Sequence, residues 1–122
     1  MTFTIYGRLP GLNEYIDAER SNRYKAAAMK RDCETLVILS ARKLGRWKAK
    51  GPVVLHYRWF ERDRRRDLDN ICGYGHKVIQ DSLVKAKYLP NDGQKWVVGM
   101  TDEFCVDKGN PRIEITIEET DT

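Results

Sequence analysis

Residues 53–60 read Val-Val-Leu-His-Tyr-Arg-Trp-Phe, and residues 70–85 read Asn-Ile-Cys-Gly-Tyr-Gly-His-Lys-Val-Ile-Gln-Asp-Ser-Leu-Val-Lys. The first stretch is β-branched and aromatic with partial alternation, which predicts a strand. The second repeats apolar or small residues at Ile71, Tyr74, Gly75, Val78, Ile79, Ser82 and Leu83, which predicts a helix. Gly73 and Gly75 weaken its first turns by about 1 kcal/mol each relative to alanine. Either the helix starts late, or its backbone approaches something closely. Upstream, Thr2 to Leu9 alternates polar and apolar up to Pro10-Gly11, a first strand and a turn. Gly11 to Ser21 reads as a loop carrying Asn13. Ala26, Met29, Cys33, Leu36, Val37, Ser40 and Leu44 recur at helical spacing, so a long helix spans Asn22–Leu44, capped by Ser21 or Asn22 and stopped by Gly45. Downstream, Pro90-Asn91-Asp92-Gly93 is a turn, and Trp96–Val106 and Arg112–Glu118 are two more strands. Ile113, Ile115 and Ile117 alternate with polar partners, one face on a core and one in water. The order β-α-β-α-β-β over residues 1–122 predicts a single α+β domain, a mixed sheet with helices packed on one face.

The 122 residues suffice for one compact domain and not for two. No apolar run approaches the roughly 18 residues of a membrane span. The stretch Met1–Arg8 lacks the pattern of a signal peptide. Three cysteines without metal-site spacing, Cys33, Cys72 and Cys105, suggest reduced thiols in a cytoplasm. The net charge is +4, but unevenly spread. Arg42 to Arg66 holds ten Lys or Arg against two acids, a local charge of +8, and Gly99 to the end holds seven acids against two bases, −5. That division predicts a positive face for a partner and a negative face away from it.

Between the second strand and second helix lies Asp63-Arg64-Arg65-Arg66-Asp67-Leu68-Asp69-Asn70-Ile71-Cys72. In an extended segment Asp67 and Asp69 project to the same side. Two anionic oxygen donors at one spot suit Mg²⁺ or Mn²⁺. The neighbouring arginines favour a polyanion, nucleic acid first. Metal-dependent phosphodiester hydrolysis needs such a metal and positive charge for the transition state. Asp92 offers a third carboxylate, and Lys77, one turn from Asp81, a cation for a water or a phosphate oxygen. Asp-x-Asp is a short pattern, and helix capping with arginine pairing explains it equally well on spacing alone.

Arg66-Asp67-Leu68-Asp69-Asn70-Ile71 resembles the signature of RusA-type Holliday junction resolvases, often carried by phages and prophages. Gly7-Arg8-Leu9-Pro10-Gly11-Leu12-Asn13-Glu14-Tyr15 resembles the family's N-terminal strand and its Pro-then-Asn loop. Lys77–Leu83 followed by Asn91-Asp92-Gly93 resembles its helix and acidic loop, and Val106–Glu114 its final hairpin. The resemblance implies a homodimeric, Mg²⁺-dependent endonuclease making paired cuts in four-way DNA junctions during recombination and repair. It implies Asp67, Asp69 and Asp92 as metal ligands and Lys77 as a further catalytic residue. Two departures stand out. The stretch between Asp69 and Lys77 is about four residues longer than in the enteric form, supplied by Cys72–Gly75, which makes His76 a competitor of Lys77. Asn91 stands where some members carry a second aspartate.

A two-fold substrate cut on two strands calls for a two-fold dimer. In such a dimer Arg46 and Lys48 would join Arg64, Arg65 and Arg66 in one DNA face, with Asn13 and Asn70 also on it. The competing readings are a non-catalytic module or an inactive prophage relic that binds branched DNA, and a ribonuclease, for which no His/Lys/Arg acid–base set is evident. Trp47, in a basic loop, is a candidate for stacking on unpaired bases. Phe60 is a candidate wedge, Trp59 a core residue and His56 a strand-surface histidine.

Overall fold

A computed structural model describes residues 1–120. The chain runs β1 (Thr2–Tyr6), α1 (Leu12–Ser21), α2 (Arg23–Ala41), β2 (Val53–Glu61), α3 (Leu68–Lys85), β3 (Val97–Val106) and β4 (Arg112–Glu119), with a 3-10 turn, Arg42–Leu44, extending α2. This is the expected α+β domain with one addition. The segment expected to be a loop, Gly11 to Ser21, is mostly the helix α1. Its apolar stripe is thin, with only Ala18 buried, and its order comes from distant partners. Tyr15 stacks on Tyr74 of α3 with ring centroids 4.4 Å apart. Asn22 then caps α2, its side chain accepting from the Tyr24 amide at 2.8 Å.

The sheet order is β1-β4-β2-β3. β4 pairs antiparallel with both β1 and β2, whereas β2 and β3 are parallel, Leu55 opposite Met100 and Glu61 opposite Val106. Parallel neighbours need a long crossover, and α3 supplies it. α3 therefore starts at the ends of β2 and β3 where Glu61 and Val106 lie, and finishes near their beginnings.

The helices cover one face. Phe3, Ile5, Leu55, Tyr57, Trp59, Ile113, Ile115 and Ile117 meet Val37, Val78, Ile79 and Leu83 in one core. Close approach explains the glycines of α3: a Cβ on Gly75 would stand 2.6 Å from the Trp59 ring, and one on Gly73 3.1 Å from Leu12. The helix starts at Leu68, so a late start is not the reason.

The opposite sheet face is polar and internally paired. Because β2 lies between β4 and β3, Arg58 reaches Glu114 at 3.1 Å on one side and Glu103 at 3.2 Å on the other. His56 likewise bridges Thr101 and Glu118. The expectation of separate basic and acidic faces is thus corrected: the sheet interleaves them. Phe60, a candidate wedge by sequence, lies under Arg112, whose guanidinium carbon is 3.8 Å from the ring centroid, and is only 9% exposed. No described helix is long and apolar enough to cross a membrane.

Candidate metal and nucleic-acid site

The loop from β2 to α3 is built around a buried ion pair. Glu61 closes β2 inside the protein, and its two carboxylate oxygens accept from Arg66 Nε and Nη2 at 2.8 and 2.9 Å. Arg66 also donates to the Leu9 carbonyl at 3.2 Å. Such a two-pronged pair fixes geometry as well as charge. Arg66, expected among the DNA contacts, is therefore committed internally, where it ties the loop to the segment after β1. Asp63 accepts from the Arg65 amide at 3.0 Å and sits 3.7 Å from the Arg62 and Arg65 side chains. Arg64 is exposed and, among the described residues, has neither a hydrogen bond nor an ion pair.

Asp67 is the N-cap residue of α3, with extended backbone (φ −63°, ψ 153°), and Asp69 belongs to the helix's first turn. The two are not in one strand: a helix begins between them, and its unpaired first-turn amides favour negative charge near both. Asp67 makes no side-chain cap hydrogen bond. Both carboxylates are exposed, and among the described residues neither has a hydrogen-bond or ion-pair partner. Capping and arginine pairing therefore do not account for them. Asp67 and Arg64 line an open cleft of about 420 Å³ with Glu61, Asp63 and the Phe104–Val106 end of β3. Free carboxylates on Asp67, in the cleft with Arg64, and on Asp69, in the helix's first turn, are donors that suit a hard divalent cation that keeps most of its waters.

Asn70 and Asn13 meet each other. The Asn70 Oδ1 accepts from the Asn13 backbone N–H at 2.8 Å, satisfying an amide of the first turn of α1. The contact depends on Gly11, where a Cβ would come within 2.6 Å of that oxygen.

Four other predicted site residues, Asp92, Arg46, Lys48 and Lys77, lie elsewhere. Asp92 lines a second cleft with Gln80 and the beginning of β3, Val97–Met100, on the Asp81 side of α3. Asp81 is twelve residues past Asp69, about 18 Å along the helix. Within one chain, Asp67, Asp69 and Asp92 do not surround one ion. Arg46 and Lys48 are exposed at that same far end, where the Ala49 amide donates to the Tyr88 carbonyl. Between them Trp47 donates to Glu119 at 3.1 Å and packs partly on the core. Lys77 points toward Asp81, 3.6 Å away, and Lys30 of α2 approaches the same carboxylate at 3.1 Å.

His76, seven residues after Asp69 and so close to two full turns on, occupies Asp69's side of α3. Its Nε2 is 2.7 Å from Asp102 Oδ1, which also accepts from Trp59 Nε1 at 2.8 Å. Cys72, His76 and Asp102 place one ligand atom each within 4.8 Å of one another. The i, i+4 spacing of Cys72 and His76 was visible in the sequence, but Asp102 joins them only through the β2–β3 pairing.

No curated protein matches the chain. A family model described as endodeoxyribonuclease RusA matches residues 12–118. That span takes in the Glu61–Arg66 brace, both unpartnered aspartates, the crossover helix and the closing strands. The chain belongs to the RusA endodeoxyribonuclease family.

Proposed function

We propose that this protein is a Mg²⁺-dependent, structure-specific endonuclease that resolves four-way DNA junctions as a homodimer in the cytoplasm of a bacterium, during recombination and repair. The observation that carries the reading is the pair Asp67 and Asp69, exposed and unpartnered at the start of α3 beside an unpaired Arg64. Exposed carboxylates next to the arginines that attract DNA are unfavourable for a pure binder, because they repel phosphate. They are the donors that Mg²⁺, or Mn²⁺ in its place, requires. A divalent ion held there by Asp67 and Asp69 would supply Lewis-acid polarisation of a phosphate oxygen and a more acidic bound water.

The chain's own residues divide the remaining work. Asp67 and Asp69 hold the ion, and the first-turn amides of α3 add positive potential at the same spot. Arg64 and Arg65 take the phosphates flanking the scissile bond. Arg66 acts at one remove by fixing the loop through Glu61. Asn70 and Asn13 lock α1 against α3, which keeps the site's floor rigid.

The test is cleavage of a labelled synthetic four-way junction, with linear duplex and single-strand controls. Wild-type and Asp69→Asn proteins are compared in Mg²⁺ and in EDTA. Symmetric cuts near the branch point, dependent on Mg²⁺ and lost in the variant, are expected. The variant should bind the junction at least as tightly as wild type, since a negative charge has gone. Tight binding without cutting in any divalent metal would replace the reading by a binding module.

A further inference from the structure

We propose that Cys72, His76 and Asp102 form a Zn²⁺ site, separate from the two-aspartate site and independent of the nuclease reading. Cys72 and His76 are one turn apart on the side of α3 that faces β3, and Asp102 approaches from β3. One sulfur, one imidazole nitrogen and one carboxylate oxygen lie within 4.8 Å of one another. Tetrahedral zinc sites separate their ligand atoms by somewhat less than that, so modest side-chain rotation closes the group around an ion. The donor set is diagnostic: thiolate and imidazole favour a borderline-soft ion such as Zn²⁺ over Mg²⁺.

The surroundings are built for ligand orientation. Trp59 Nε1 donates to Asp102 at 2.8 Å, and the indole is buried. The Tyr57 ring lies 4.7 Å from the imidazole of His76 and the Trp59 ring 5.7 Å from it. Groups outside the ligand shell that hold a carboxylate and an imidazole in place are what metal sites use to fix geometry. Cys72 is nearly buried while Asp102 is exposed, so the ion enters from the β3 side and keeps a water as its fourth ligand. Binding displaces the Cys72 thiol proton to solvent and forms the zinc–sulfur bond, with no change of oxidation state. The ion would clasp the edge strand β3 to α3, one turn beyond Asp69.

Full-length protein stripped with EDTA and then dialysed is titrated with Co²⁺, and then with Zn²⁺ or Mg²⁺ as competitor. The near-ultraviolet thiolate-to-cobalt absorption should saturate at one equivalent per chain, vanish on adding Zn²⁺, and persist in excess Mg²⁺. Cys72→Ser should abolish the band, and His76→Gln should weaken Co²⁺ binding at least about tenfold. Cys105→Ser and Asp69→Asn should bind Co²⁺ as wild type does, the latter separating this site from the Mg²⁺ site. Circular dichroism confirms that each variant is folded. Absence of the band in wild-type protein would overturn the proposal, as would its survival in Cys72→Ser or its loss in Asp69→Asn.

Discussion

Arg64 and Arg66 are two positions apart, yet their surroundings are opposite. Arg66 is mostly buried and holds both oxygens of buried Glu61, whereas Arg64 has no partner among the described residues. Removing one member of a buried pair strands the other, at about 3–5 kcal/mol. Glu61→Gln should therefore lower stability by that order in denaturant melts. Arg64→Ala should leave the melt unchanged, weaken junction binding, and reduce the dependence of log K on log salt by about one unit. Equal effects of the two substitutions on salt dependence would place both arginines on the phosphate backbone. In the sequence the three arginines are indistinguishable; only the fold brings Glu61 and the Leu9 carbonyl to one of them. The two aspartates were legible as a pair for the same region's chemistry, because their type and spacing suffice to suggest an ion. Their freedom from partners was not legible, since that depends on where every neighbouring arginine goes.

α3 is the element on which the site depends, and two of its contacts make testable demands. Gly75 lets the helix lie on Trp59; a Cβ would stand 2.6 and 2.9 Å from the ring's Cη2 and Cζ3 atoms. Alanine gains about 1 kcal/mol in helix propensity, but overpacking costs about 1–3 kcal/mol. Gly75→Ala should be net destabilising in thermal unfolding, and a gain in stability would show that the ring yields freely. Further along, Asp81 joins α3 to Lys30 of α2. Burial alone would raise the Asp81 pKa, but the hydrogen bond and charge of Lys30 outweigh it, and the net shift is downward from 3.8. Lys30 is raised above 10.5 chiefly by its hydrogen bond to the same carboxylate. A lowered acid contributes stability above its unfolded pKa, and this is lost as pH falls through the folded value. A raised base contributes below its unfolded pKa and loses this as pH climbs through the folded one. Asp81→Asn should thus cost about 1 kcal/mol near neutrality, with the difference from wild type fading in acid below pH 3.8 and in alkali above 10.5. Periodicity revealed α2, α3, β1, β2 and β4 to within a few residues, because each buries a row of apolar residues; β3, none of whose residues is buried, was bracketed by the turn signals on either side of it. It did not reveal α1, whose one buried residue and long-range cap from Asn70 leave almost no local signature.

The whole molecule has two ends along β2, a strand spanning about 26 Å from Val53 to Glu61. Asp67, Asp69 and the Arg62–Arg66 loop are at one end; Asp92, Arg46 and Lys48 are at the other. Strand order decides this, and strand order was not written in the local pattern of any segment. The resemblance groups Asp92 with Asp67 and Asp69, and one chain cannot bring them together across the length of α3. If all three serve one ion, the third carboxylate comes from a second copy, and two-fold symmetry then makes two such sites per dimer. The consequence is subunit complementation. Asp69→Asn and Asp92→Asn proteins should each fail to cut a junction alone. When the two are mixed, unfolded together and refolded, about half the dimers pair unlike chains if assembly is random. Each such dimer has one site with both substitutions and one with none, so the mixture should nick one strand of the junction while making few paired cuts. If Asp92→Asn cuts like wild type, Asp92 has no part in catalysis. If both variants are inactive and the mixture stays inactive, Asp92 acts within its own chain at the far end, on DNA and not on the ion.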